Sequence, residues 1–255
     1  MKVREAFLES FGMLKERPKF VLPMIALLVL GMGILGLTFV SGVPITGVIP
    51  TGAVAPPGWY LPVVLALAVI ASVLSVLIYG MYPSMVKDRL EKRELNFKES
   101  FHFAYHKFWS MLGATLLAGV ILMAIMMAII IPFAFTGSSV AITIGTIVGI
   151  AVIFLISVLF YYITPAIIMD DLKALAGFSK SWETGKKNYL FTLLILLIPI
   201  LIMGVLYGLL IGLPTSLGLG TGYLLGLMIP YAVITIFVST WMYIIMAYAY
   251  NGLKA

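Results

Sequence analysis

The chain has no cysteine and no glutamine, only three asparagines and two histidines, and charge on just 10% of its 255 residues. Without thiols there is no disulfide framework, zinc ribbon, thiol nucleophile or iron-sulfur ligand set, and the redox compartment cannot be read. Metal chemistry would have to rest on two His and ten acids. Scarce amides and thiols fit a heat-adapted source, whereas the 15 Met argue the other way. The shortage of charge excludes most. A soluble domain carries about 25% charged and about 45–50% apolar residues, and here 62% are hydrophobic. Such a chain cannot hide its apolar residues from water, so it is read as an integral membrane protein.

Six stretches reach the roughly 20 residues that a helix rising about 1.5 Å per residue needs to cross a hydrocarbon core. They are Val21 to Ser41, Leu61 to Tyr82, Trp109 to Phe135, Val140 to Met169, Tyr189 to Leu213 and Leu224 to Tyr250. Membrane strands would alternate in polarity, and Ile121 to Ile131 does not, so the expected class is all-α with six transmembrane helices. Gly42 to Gly58 with Pro44, Pro50, Pro56 and Pro57, Thr136 to Ser139, and the Gly-rich Pro214 to Gly222 have loop chemistry and share one side.

The charges assign the sides. All 16 Lys and Arg fall at Lys2 to Lys19, Lys87 to Lys107, Lys173 to Lys187 and Lys254, with the acids and both His in or beside these regions. The three opposite loops contain no charged side chain. The positive-inside rule therefore expects a multi-pass protein of the cell membrane with both termini cytoplasmic. The first span, preceded by about twenty mostly amphipathic residues and followed by no A-x-A site, is expected to be retained rather than cleaved.

A short phrase precedes each odd-numbered span: Phe7-Leu-Glu-Ser10-Phe11, Phe97-Lys-Glu-Ser100-Phe101 and Phe178-Ser-Lys-Ser181-Trp182, or F-x-x-S-[FW]. Its aromatics are four apart and share a helical face, with Glu and Lys beside them. In the second copy the face continues through Phe97, Phe101, Tyr105 and Phe108, opposite Lys98, Glu99, His102 and His106. These segments read as amphipathic helices on the cytoplasmic leaflet. Two even-numbered spans close on a second phrase, Pro83 to Asp88 and Pro165 to Asp170, after Tyr79 and Tyr82 or Tyr161 and Tyr162; the third has Tyr243, Tyr248, Tyr250 and Asn251 but no Pro. The chain thus reads as one membrane domain, 1–255, of three parallel units, 1–88, 89–171 and 172–255, each an interfacial helix followed by two spans.

Few residues offer chemistry. Gly31-Met-Gly33-Ile-Leu-Gly36 matches a dinucleotide fingerprint but lies inside an apolar span, where helix packing accounts for it better. Gly145 with Gly149, and Gly204, Gly208 and Gly212, are small-residue ridges that read as helix contacts, within the chain or between subunits. Pro199 and Pro230 should kink or open spans five and six. Glu99, His102 and His106 share a face and form the one weak candidate for a metal or pH-sensing group, against the plainer reading of a solvated face; no cofactor is expected. Asp88, Asp170 and Asp171 beside Lys87 and Lys173 read as helix-end ion pairs. Within the spans the only polar groups are hydroxyls such as Thr38, Ser72, Ser75, Thr115, Thr143, Thr146, Ser157, Thr235, Ser239, Thr240, Tyr207 and Tyr231, which argues against proton-driven transport of charged solutes.

The repeated F-x-x-S-[FW] phrase ahead of paired spans resembles a broad group of six-span archaeal and bacterial membrane families of unknown function, related to the membrane portion of some glycerophosphodiester phosphodiesterases. The catalytic domain of those enzymes is a separate soluble barrel for which this chain has no room, so the resemblance implies the fold and not hydrolysis. The function expected is non-enzymatic: moving, sensing or organising lipids or other apolar molecules. The alternative is an accessory subunit that docks a cytoplasmic or membrane protein partner through its basic cytoplasmic collar; an intramembrane or interfacial enzyme using the Asp and His groups ranks third, and a homo-oligomer is a further possible assembly. Membrane lipids are the expected partners, and nucleic acid is not.

Overall fold

The computed structural model describes residues 2–40, 57–218 and 221–254. Residues 41–56, which hold the end of the first expected span and most of the first outer loop with Pro44, Pro50 and Pro56, and Leu219 and Gly220 of the third loop lie outside the described residues. Eleven α-helices account for most of the rest: α1 (Val3–Glu16), α2 (Leu22–Val40), α3 (Tyr60–Leu90), α4 (Phe97–His106), α5 (Phe108–Ala134), α6 (Ser139–Phe160), α7 (Ile163–Met169), α8 (Ala174–Lys187), α9 (Tyr189–Tyr207), α10 (Leu213–Ser216) and α11 (Thr221–Lys254). No strand occurs among the described residues.

Five helical segments are long and apolar enough to cross a bilayer: Tyr60–Leu90, Phe108–Ala134, Ser139–Met169, Tyr189–Gly212 and Ile229–Lys254. There are six if α1 and the segment Pro18–Ile34, which turns from it by 97°, count as one. A 3-10 turn, Pro18–Val21, makes that bend. Pro18, with its fixed φ and missing N–H, suits the start of such a turn.

Local chemistry sets the other ends. Asn96 Oδ1 accepts from Glu99 N–H at 3.2 Å and caps α4, and Ser138 Oγ accepts from Ala141 N–H at 3.4 Å and caps α6. α3 and α7 finish alike: Lys92 (φ 59°) and Asp171 (φ 53°) are left-handed, and Arg93 N–H reaches Asp88 O at 2.8 Å while Leu172 N–H reaches Ile167 O at 3.1 Å. Both ends are Schellman turns, which satisfy final carbonyls and redirect the chain into α4 and α8.

Proline acts differently in different spans. α3 runs unbroken through Pro83 to Leu90, eight residues past the expected end of the second span. The fourth span, expected as one helix, divides at Tyr161–Tyr162 into α6 and α7. Pro165 is the third residue of α7, where the N–H it lacks would have bonded Tyr161 O. Pro199 and Pro230 sit inside continuous α9 and α11. Span five opens instead at a π-helical turn, Gly208–Gly212, where glycine makes the backbone most permissive.

Buried residues concentrate toward the end of the molecule that carries the charges. In α3 no residue from Tyr60 to Val76 is buried, and burial begins at Leu77. α5 buries Met111, Ala114 and Ala118; α9 buries Thr192, Ile195, Leu196 and Pro199. The three short helices each sit on the charged end of a longer one. α4 packs on α3, α8 on α6 and α7, and α1 on α11, so the first helix rests on the last.

Glycines follow this gradient only in part, because α5 and α6 stay close along their length. At the charged end, a Cβ on Gly185 would fall 2.9 Å from Leu159 Cα and Val158 O. In the opposite half, α5 and α6 touch: a Cβ on Gly145 would lie 2.6 Å from Phe133 Cδ2, and one on Gly149 2.6 Å from Met126 Sδ. The remaining ridges do not behave as close contacts within the chain. At Gly31, Gly33, Gly36, Gly204 and Gly208 a Cβ would meet nothing within 4 Å, and at Gly212 only the carbonyl of Tyr207 at 3.8 Å. Small residues permit close approach only where a neighbouring helix arrives, and among the described residues none does so there.

Candidate functional site

Tyrosines from α3, the α6–α7 break and α11 meet where the charged ends converge. Tyr79, Tyr161 and Tyr243 recur every 82 residues. Tyr243 stacks on Tyr79 (centroids 4.3 Å apart) and on Tyr82 (5.5 Å). Tyr162 lies against Tyr161 at 5.2 Å and Tyr250 at 5.8 Å. Tyr82, Tyr162 and Tyr250 are fully buried. Buried phenols need partners: Tyr82 donates to Phe20 O at 3.2 Å and Tyr162 accepts from Thr192 Oγ1 at 3.2 Å. The Tyr161 hydroxyl is buried with no hydrogen-bond partner among the described residues.

Asp170 closes this cluster. One carboxylate oxygen accepts from the Tyr250 hydroxyl at 2.5 Å and the other pairs with Lys254; its side chain is only 12% exposed. Both oxygens are taken, so Asp170 is a latch between α7 and α11 rather than a free base. Asp171 points to solvent and pairs with Lys107 at 2.6 Å. The hydrogen-bonded Lys107 ammonium holds the Asp171 carboxyl below the usual carboxylate range. Lys107 also donates to Asp171 O at 3.0 Å, tying the start of α5 to the end of α7. A cleft of about 320 Å³ opens beside the latch, lined by Lys87, Leu90, Glu91, Met169, Asn251 and Lys254.

The F-x-x-S-[FW] residues hold the three short helices. Ser10, Ser100 and Ser181 are all fully buried, whereas Phe11, Phe101 and Trp182 stay 55%, 43% and 42% exposed. Phe7, Phe97 and Phe178 are half-buried. Ser181 Oγ donates to Leu159 O at 3.0 Å and accepts from Tyr162 N–H at 3.1 Å, filling the gap where α6 breaks. Ser10 Oγ accepts from Trp241 Nε1–H at 2.9 Å, and Trp241 packs edge-on to Phe7 and Phe11. Ser100 Oγ finds no partner among the described residues, because α3 beneath it is unbroken. The sequence marked the aromatics as the working face of these helices; Ser10 and Ser181, between them, add hydrogen bonds to the docking, and Ser100 adds none among the described residues.

Glu99, His102 and His106 line an open groove of about 790 Å³ along α4 with Phe101 and Tyr105. The two imidazoles come within 4.5 Å between centroids. No group of three His or acidic side chains converges as a metal site among the described residues, and Glu99 is not drawn to the pair. Pro83 lies buried in α3 and Pro165 in α7.

Among the described residues, five helical segments, or six with the bent pair, have the length and apolarity to cross a membrane, which fits a multi-pass helical membrane protein. The chain belongs to a family described as a domain of unknown function (DUF7847), whose profile matches residues 1–253. No curated protein and no solved structure matches it significantly.

Proposed function

We propose that the chain is a six-span protein of the cell membrane, with both termini cytoplasmic, that holds lipids or other apolar molecules between the loosely packed halves of its spans, and that it is not an enzyme. The observation that carries this reading is the gradient of packing. The charged end is sealed by the tyrosine cluster and the Asp170 latch, while α3 buries nothing over more than four turns at the other end. Apolar helices left without protein neighbours must be covered by other apolar matter, and in a bilayer that is acyl chains. Three parallel units, 1–88, 89–171 and 172–255, each opened by an interfacial amphipathic helix, give the architecture its plan. That plan is supported by the equivalent burial of Ser10, Ser100 and Ser181, by the docking of each short helix on a long one and by the even spacing of Tyr79, Tyr161 and Tyr243. Kinship with the membrane portions of phosphodiesterases rests on the repeated phrase alone.

The test is lipid retention by the whole protein. Native mass spectrometry after exhaustive detergent washing should show lipid bound in fixed ratio, and its removal should lower the unfolding temperature. A bare chain with unchanged stability would overturn the reading. It would favour a scaffold that docks a partner through its basic end, to which the 78% exposed Trp109 at the start of α5 lends some support. Topology is separately open to test because the chain has no cysteine of its own. An impermeant maleimide should label Ser139→Cys from outside the cell and Glu94→Cys only after the membrane is opened.

A further inference from the structure

The cations at the charged end are unevenly spent. Arg89 pairs with Glu16, Arg93 with Glu91, Lys107 with Asp171 and Lys254 with Asp170, and Arg17 donates to Arg93 O. α8 differs. With its preceding residue it carries Lys173, Lys180, Lys186 and Lys187 against the single acid Glu183, and none of the four enters an ion pair among the described residues. Its inner face, Gly177, Ser181, Thr184 and Gly185, is buried against the rest of the chain. The outer stripe, Leu175, Ser179, Trp182 and Lys186, runs from an apolar residue 72% exposed, through a half-exposed indole, to a free ammonium. Trp182 is fixed on one side by Phe160, 5.7 Å away. An open cleft of about 580 Å³ lies along this stripe, lined by Ser179, Trp182, Glu183, Lys186 and Lys187.

We propose that α8 binds the phosphate headgroup of an anionic phospholipid, the phosphate between Lys186, Lys187 and the Ser179 hydroxyl, and the glycerol and upper acyl chains against Trp182 and Leu175. Charge complementarity selects the occupant. Unpaired lysines beside an indole, on a helix whose other face is anchored to a span, match an anionic leaflet surface. Glu183, four residues before Lys187, offsets part of that lysine's charge and weakens the site rather than building it. The inference rests on the bilayer reading above.

The experiment uses the full chain in neutral detergent, with phosphatidylglycerol and phosphatidylcholine added in turn and bound lipid counted by native mass spectrometry. Phosphatidylglycerol should be preferred. Lys186→Ala and Lys187→Ala should each weaken its binding about 5-fold, and the double variant about 25-fold, since each lysine near an anionic surface contributes a factor of about five. Glu183→Gln should tighten it. All three positions lie on an exposed face, so unfolding temperatures should match the parent protein. A double variant that keeps the preference, or a parent protein that shows none, overturns the proposal. Equal binding of soluble glycerophosphate, displaced by inorganic phosphate, would show a phosphate site with no lipid role and overturn it also. Total apolar lipid carried by the double variant is read in the same spectra. It reports on the loosely packed halves, so the two proposals fail independently.

Discussion

The sharpest test of the docking scheme is the replacement, one at a time, of three serines that the sequence presents as equivalent. Ser181→Ala deprives two backbone groups of their partner, Leu159 O and Tyr162 N–H. Tyr162 is fully buried and lies at a helix break, so no neighbouring turn replaces the bond. A buried group left unsatisfied costs about 1–3 kcal/mol, which puts the loss near 2–4 kcal/mol. Ser10→Ala removes the bond from a half-buried Trp241 indole and a local one from Ser10 Oγ to Phe7 O, a carbonyl inside α1, and should cost about 1 kcal/mol. Ser100→Ala removes a buried hydroxyl that has no partner among the described residues, and should be neutral or slightly stabilising. Thermal unfolding in one detergent reads the series. At roughly 2–4 °C per kcal/mol for a chain of this size, Ser181→Ala should lower the midpoint by about 5–15 °C. The order Ser181, Ser10, Ser100 is the content of the claim. If Ser100→Ala is as harmful as Ser181→Ala, the serines act through packing alone and the reasoning fails.

Glycine substitutions should divide along the packing gradient. Gly185→Ala drives a methyl into the backbone of Leu159 and should cost about 1–3 kcal/mol, whereas Gly204→Ala meets open space and should gain up to about 1 kcal/mol in helix propensity. Equal damage from both, in the same unfolding assay, would mean that something packs against Gly204. Protonating Asp171 should loosen the α5–α7 tie: its carboxyl is held low in the fold, so its stabilisation is full above the ordinary carboxyl value of about 4 and is lost as pH falls through its own lower value. A pH titration of the unfolding midpoint should show that acid limb reduced in Asp171→Asn, and an unchanged limb would count against the bridge.

The long apolar runs were legible because the bilayer imposes a length and a composition that few other environments reward. The charge segregation was legible for the same reason. Less visible was what a proline does inside a run: the same phrase opens at Pro83 and at Pro165, yet α3 continues and α6 breaks. At the α6 break, but not in α3, a hydroxyl from another helix takes up the freed backbone groups. Ser181 does so across 19 and 22 residues of sequence, a relation that composition and periodicity do not encode. The glycine ridges were legible as spacing but not as contacts within the chain. Four-residue spacing says that a helix can be approached, and Gly145 is while Gly204 is not. The tyrosine cluster left a usable trace in the recurrence of Tyr79, Tyr161 and Tyr243, which signals convergence of three helices although not its contacts.

The seating of α1 on α11 bears on how the molecule is made. Trp241 and Ser10, which meet at 2.9 Å, are 231 residues apart, so the largest part of the seat of α1 is missing until α11 has been made and inserted. Until then its buried face, Ala6, Ser10, Met13 and Leu14, is only partly covered, and the membrane surface would serve as a temporary host. A chain that ended before Trp241 would keep only the lesser contacts of α1, with the 3-10 turn and α9, and would leave the Ser10 hydroxyl without its indole.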